Sequence, residues 1–371
     1  VEGGKLTLSA LNNVTGGAVT LSGGALDVTK ELAAKLMNGA ASFTMSGGVL
    51  DLADQSFTAG TAADAISLTN TAGLVLNSGT LALGNLTAAG TYYLFTSGSE
   101  DVWNSFTAAN VTLNGENALR YGATLGYTEA DGVTYATLTT TSDTAGNLTL
   151  YWDGGESGTW DGTQTNWNVA ETLDGGMVDF NSGDSVVFNS NATVNATESV
   201  QADTLTVNAD ATVSLSGSIT ANSIAVESGK LSITGSGTSA TAYSVATGAE
   251  LVFSGTADSA AAASALVNAT GAGNLTLDGV DATWAYDNAS DLTGKLTIRN
   301  ATLTSDGFGG NVNDYKTKTT YDLSSFTSVE LDGATVNFVG NNPTWKNVTV
   351  AAGGAEFSIR DMGATDSSAF I

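Results

Sequence analysis

"SGKLSITGSGTSATAYSVATGAELVF" (228–253) decides how the chain is read. A glycine opens a short run in which Leu231 and Ile233 alternate with Ser232, and a second glycine opens another in which Leu251 and Phe253 follow Glu250. Alternation with a period of two is the signature of a strand with one buried face. Glycine before each run supplies a bend where positive φ costs nothing. The step from Leu231 to Leu251 is one repeat.

Working outward, the same element recurs as "GGKLTL" (3–8), "GGALDV" (23–28), "GGVLDL" (47–52) and "SGTLAL" (78–83). It returns as "GNLTL" (273–277), "GKLTI" (294–298), "GATVNF" (333–338) and "GGAEFSI" (353–359). Leu6 to Leu26 and Leu275 to Leu296 repeat nearly the same step. A repeat of about twenty residues carrying short strands and no matching helix points to a stack of rungs, a parallel β-helix, in preference to a sandwich. The expectation is an all-β chain: a parallel β-helix with a small irregular β module and short helical insertions. One proline in 371 residues, Pro343, suits rungs whose backbones bond to their neighbours.

Two stretches leave the β pattern. "TKELAAKLMNG" (29–39) predicts a short helix with Thr29 as N-cap, Leu32 and Leu36 on one face and Gly39 past its end. "DSAAAASALVNATG" (258–271) predicts a second, both lying at rung corners. The organisation read from composition is a first solenoid over 1–84, an irregular β module over 85–149, a Trp/Gly/Asp-rich connector or cap over 150–176, and a second solenoid over 177–371.

Composition excludes several functions. There is no cysteine and no histidine, so disulfide frameworks, His-ligated zinc and the usual serine or cysteine triads are absent. A formal charge of −26, with 11 basic residues spread along the chain, offers no basic stripe for nucleic acid. No apolar run reaches the roughly 20 residues of a membrane-spanning helix, so no membrane insertion is expected. The chain opens at "VEGGKLTLSA" and stops at "EFSIRDMGATDSSAFI", both within the repeat pattern, which reads as part of a longer exported protein.

"LTLYWDGGESGTWDGTQTNWNV" (148–169), followed by "GDSVVFNSNATVNATESVQADTLTVNADATVSLSG" (183–217), resembles the autotransporter-associated β-strand repeats of bacterial autotransporter passenger domains. The resemblance is clearest over about 150–235. It implies a right-handed parallel β-helix that is exported and displayed on, or released from, the surface of a Gram-negative or related bacterium. A membrane β-barrel C-terminal to such a passenger anchors it in the outer membrane. The implied role is adhesive or structural, that of a secreted adhesin or stalk, and not enzymatic.

Candidate chemistry is sparse. Trp152, Trp160 and Trp167, flanked by Asp153 and Asp161, present either a platform for sugar rings or a lid over the open end of a solenoid. Carboxylate pairs for glycoside hydrolysis exist in Asp153 with Asp161 and Asp278 with Asp281, and Lys295 or Arg299 near Asp291 is the one group suited to a lyase. "GFGGNVNDY" (307–315) is a faint calcium-repeat pattern, with Val312 where glycine belongs, and loose calcium binding by surface Asp is the only cofactor the acidity suggests. "SDTAGN" (142–147) has alanine where an aspartic protease needs glycine. Sequons at Asn13, Asn85, Asn110, Asn191, Asn274, Asn300 and Asn347 follow from a Thr/Asn-rich composition. Expected partners are a host or environmental glycan, a surface protein, or a second copy in a surface layer or filament. The rival enzymatic reading, a β-helical lyase or glycosidase, requires paired carboxylates and a base on one face of the stack.

Overall fold

The computed structural model describes residues 3–11, 15–69, 73–84, 88–97, 102–161, 166–285, 290–306, 323–339 and 345–360. Strands dominate, with two α-helices among the described residues, and the chain divides into two compact units, Val1–Leu148 and Thr149–Ile371.

In the first unit Lys5–Thr7, Ala25–Asp27, Ser42–Leu52, Leu74–Leu83 and Val111–Leu113 pair in parallel, one after another. Leu6 stands against Leu26, Leu26 against Leu50, Leu50 against Leu81 and Leu81 against Val111. From Leu26 onward this column is buried. The parallel ladder therefore runs past residue 84 into the segment expected to be irregular. That segment also holds an antiparallel sheet, in which Val133–Thr140 lies between Gly90–Ser97 and Thr124–Ala130. Its inner face buries Tyr92, Leu94, Phe95, Ala136 and Leu138.

The second unit is built on columns. Ala192, Val213, Leu231, Leu251, Leu275, Leu296, Val329 and Val348 follow one another in register, each on the next parallel strand. Beside them run Val194, Leu215, Ile233, Phe253, Leu277, Ile298, Leu331 and Val350. A second ladder stacks Leu150, Val186, Leu205, Ile224, Tyr243 and Ala269. Farther along, Ala282, Leu303, Val336 and Phe357 form a third. Pairings at Leu231–Leu251 and Leu275–Leu296 match the spacing read from sequence. Small and β-branched residues fit this arrangement because each inward side chain must nest on an equivalent one a strand away.

Corners between strands are held by side chains. The Oδ1 atoms of Asn191, Asn274, Asp281 and Asp332 accept from the backbone N–H of Thr212, Lys295, Thr302 and Gly353, at 2.8, 3.0, 2.6 and 2.9 Å. Each partner lies 21 residues downstream. Strands end at these corners, and the side chain satisfies an amide that the ladder leaves unpaired.

Both helices form. Lys30–Gly39 is capped by Thr29, whose side chain accepts from Leu32 N at 3.2 Å, and it buries Leu32, Ala33, Leu36 and Met37. Gly39 is its last residue and not one beyond it. Ser259–Asn268 is capped by Asp258 and stops short of Gly271, because Ala269–Gly271 turns into a strand against Ser239–Val245.

Candidate functional site

The tryptophan segment belongs to the second unit. Thr149–Trp152 pairs in parallel with Ser185–Phe188, and Ser157–Trp160 pairs in parallel with Ala192–Val207. Trp167–Asn168 runs antiparallel to Thr149–Trp152, setting Trp167 opposite Trp152. All three indoles point inward. Trp152 is 2% exposed, and Trp160 and Trp167 are 0% exposed. They meet edge to face, Trp152 with Trp167 at 5.1 Å and Trp160 with Trp167 at 5.0 Å, and Phe180 and Phe188 complete the cluster.

Local sequence makes this packing feasible. A Cβ added at Gly154 or Gly158 would collide with the Trp152 ring, so the two glycines give that ring its bed. Trp152 Nε1 donates to Gly155 O at 2.8 Å. The Nε1 atoms of Trp160 and Trp167 find no partner among the described residues, at a cost of about 1–3 kcal/mol each. Each ring buries about 150–250 Å², which at about 25 cal/mol per Å² outweighs that cost.

A platform for sugar needs open ring faces, and these faces lie against protein. Asp153, half-buried, accepts from Asn168 Nδ2 at 3.2 Å, and Asp161 is half-buried as well. Asn168, itself buried, closes the following loop by accepting from Ala170 N and Gly175 N. Composition could not separate the two readings, because Gly, Asp and Thr surround both a sugar site and a tight turn.

A different cluster emerges on the outer face of the main ladder. Arg299 lies between Asp278 at 3.6 Å and Asp332 at 3.4 Å, one strand to either side. Lys295 pairs with Glu330, and Lys230 with Glu250 at 3.3 Å. Thr276 Oγ1 donates to Glu250 Oε1 at 2.7 Å. Arg299 and Lys295 thus find their partners on neighbouring strands. Asp291, the partner expected from sequence, pairs through its strand with Thr270 in another ladder. Asp281, expected to work with Asp278, caps Thr302 N instead.

Between these charged columns runs a row of outward positions: Val252, Thr276 and Thr297. They alternate with the inward residues, yet each is only 5 or 6% exposed. Glu250 and Lys295 rise on one side of them, Asp278 and Arg299 on the other, and Glu330 follows Thr297 in the same row. The row is therefore covered, Glu250 reaching Thr276 and Lys295 reaching Glu330 across it. Sequence reasoning had Lys295, Arg299 and Asp278 in view but not Glu250, Glu330 and Asp332, whose proximity depends on register.

"SDTAGN" forms a strap on the first unit. Gly146 N donates to Arg120 O at 2.8 Å, and Ser142 and Thr144 bond to each other. The described sequon residues Asn191 and Asn274 serve as corner clamps. Asn13, Asn85 and the 307–315 calcium pattern lie outside the described residues. Among the described residues no group of three or more His, Cys, Asp or Glu could hold a metal ion, and no helix is long and apolar enough to cross a membrane. No family model matches the chain, and neither a curated protein nor a solved structure matches it.

Proposed function

We propose that the chain is a segment of an exported, surface-displayed or released autotransporter-like protein and acts as an adhesive or structural stalk. Its ladders are read as the faces of a right-handed parallel β-helix. One observation carries this reading. Two inward columns continue through seven successive strands from Ala192 and Val194 to Val329 and Leu331, none of these residues more than 3% exposed. Such a stack depends only on neighbouring rungs, so it can be long, stiff and tolerant of varied outward residues. A chain devoted to that task needs no histidine, cysteine or cofactor, and this one has neither residue.

Protease shaving of intact cells of the source organism tests the assignment. The chain should disappear from the cell fraction while a cytoplasmic marker survives. Protection of the chain until the cells are lysed would refute surface display.

The outer charged cluster favours a second reading, since it brings carboxylates and a base onto one face, as a polysaccharide lyase or glycosidase requires. Release of reducing or unsaturated ends from polysaccharides incubated with the chain would establish it. The stalk reading expects none.

A further inference from the structure

We infer that Met177 is a modification site: oxidants of the peroxide class convert its thioether to the sulfoxide, and the change loosens the loop 169–176 beside the tryptophan cluster. The inference is independent of both readings above.

The chain has four methionines. Met37 and Met45 are 3% and 0% exposed, Met177 is 38% exposed, and Met362 lies outside the described residues. Met177 stands directly opposite Asn168 on an antiparallel pair of strands. Asn168 is buried, and its carboxamide is fully engaged. Its Nδ2 donates to Asp153 Oδ2 at 3.2 Å and to Met177 Sδ at 3.9 Å, while its Oδ1 accepts from Ala170 N at 3.0 Å and Gly175 N at 3.1 Å. A carboxamide offers two N–H donors and two lone pairs, so the thioether takes the one amide hydrogen that Asp153 leaves. Met177 is thus both open to solvent and an acceptor for a buried donor.

Oxidation removes that acceptor. The sulfur attacks one peroxide oxygen, the O–O bond breaks, and two electrons pass from sulfur to the peroxide. The proton of the transferred oxygen goes to the departing one, which leaves as water. The new oxygen takes the lone pair that faces solvent, because the other is turned to Asn168. Sulfur in the product carries partial positive charge and no longer accepts from Nδ2–H, so a buried donor loses its partner. Asn168 is the hub of this loop. Backbone bonds from Val169 N to Gly176 O at 3.2 Å and from Leu173 N to Ala170 O at 3.0 Å close it as well. Leu173 sits at a φ of +60°, which is strained for a bulky residue, and its side chain is 42% exposed. A strained surface loop opens locally at low cost, and loss of one hub bond raises the open population.

Hydrogen peroxide treatment of the intact chain, followed by peptide mass mapping and by digestion with a glutamate-specific protease, tests the proposal. Met177 should be oxidised first, with Met37 and Met45 reacting only in urea. Cleavage after Glu171, an exposed residue of the loop, should quicken about tenfold, the effect of leaving one buried N–H unpaired. Cleavage after the exposed Glu227, outside the loop, should keep its rate. Methionine sulfoxide reductase should restore slow cleavage at Glu171. Met177→Leu keeps the bulk and removes the acceptor. That variant should be cleaved at the oxidised rate before any peroxide is added and should not respond to it, which also separates Met177 from Met362. Oxidation of Met177 no sooner than Met37 or Met45 overturns the site. Cleavage at Glu171 that oxidation leaves unchanged, or a Met177→Leu chain cleaved at the wild-type rate, overturns the role of the sulfur.

Discussion

The first and last described strands of the second unit differ in how they are covered. At the start, Trp152, Trp160 and Trp167 lie over Phe180 and Phe188, and every one of these rings is buried. At the last described strands, Val348 is 43%, Val350 51% and Phe357 48% exposed, although the residues one strand before them in the same columns are 0% exposed. Stacked parallel strands bury a side chain only if something lies on both sides of it. A tryptophan covers several columns at once, whereas a valine covers only the position beneath it. At residues 149–196 the aromatic cluster supplies that cover, and its own rings are buried in doing so.

Removing the lid is the harshest test of that contrast. Trp160→Ala should cost about 3–5 kcal/mol of stability by urea denaturation. Val350→Ala, at an exposed position of the last described strands, should cost less than about 1 kcal/mol. Equal losses would remove the distinction between the ends. Next in size, Gly158→Ala forces a methyl into the Trp152 ring, where its Cβ would lie 2.7 Å from the indole, and should cost about 1–3 kcal/mol. Gly155→Ala, with open space around the new Cβ but a φ of +73°, isolates backbone strain as a control. Asn191→Ala removes a corner clamp near the lid and should cost about 1 kcal/mol. Asn274→Ala, well away from it, should cost the same, and unequal losses would tie the clamp to the lid. The smallest effect belongs to Val350→Thr, which should leave the urea midpoint unmoved while reducing the binding of a hydrophobic dye.

Much of the fold was legible because it is periodic. Leu6 with Leu26, Leu231 with Leu251 and Leu275 with Leu296 were spaced as partners in the sequence and are partners in the ladder. The cap of the first helix was legible too, since Thr29 is of the residue types that satisfy a first-turn amide. What escaped was whatever depends on an irregular step. Leu81 reaches Val111 across 30 positions, with the strand Gly90–Ser97 between them, so no period reveals that pairing. Leu296 meets Val329 across 33 positions, and this long step brings Glu330 and Asp332 beside Lys295 and Arg299. That step hid the pairing of Glu330 and Asp332 with the two cations. For the tryptophans the sequence carried one usable clue, the glycines at 154 and 158, which mark a ring lying flat on backbone.

The corner clamps set the size of the loop that joins neighbouring strands. In each, an Asn or Asp offers its oxygen to an amide 21 residues downstream. The opposite sense occurs as well, with Asp210 N donating to Ser228 Oγ, 18 residues downstream, at 2.8 Å. Once a first pair of strands exists, the loop to be closed at each clamp is short and of constant length, so elongation is expected to be quick compared with nucleation. The aromatic cluster ties together strands from residue 149 to residue 196, which makes it the nucleus expected here. Slowing that one event, by Trp160→Ala, should delay the later strands while leaving the rate of adding each unchanged.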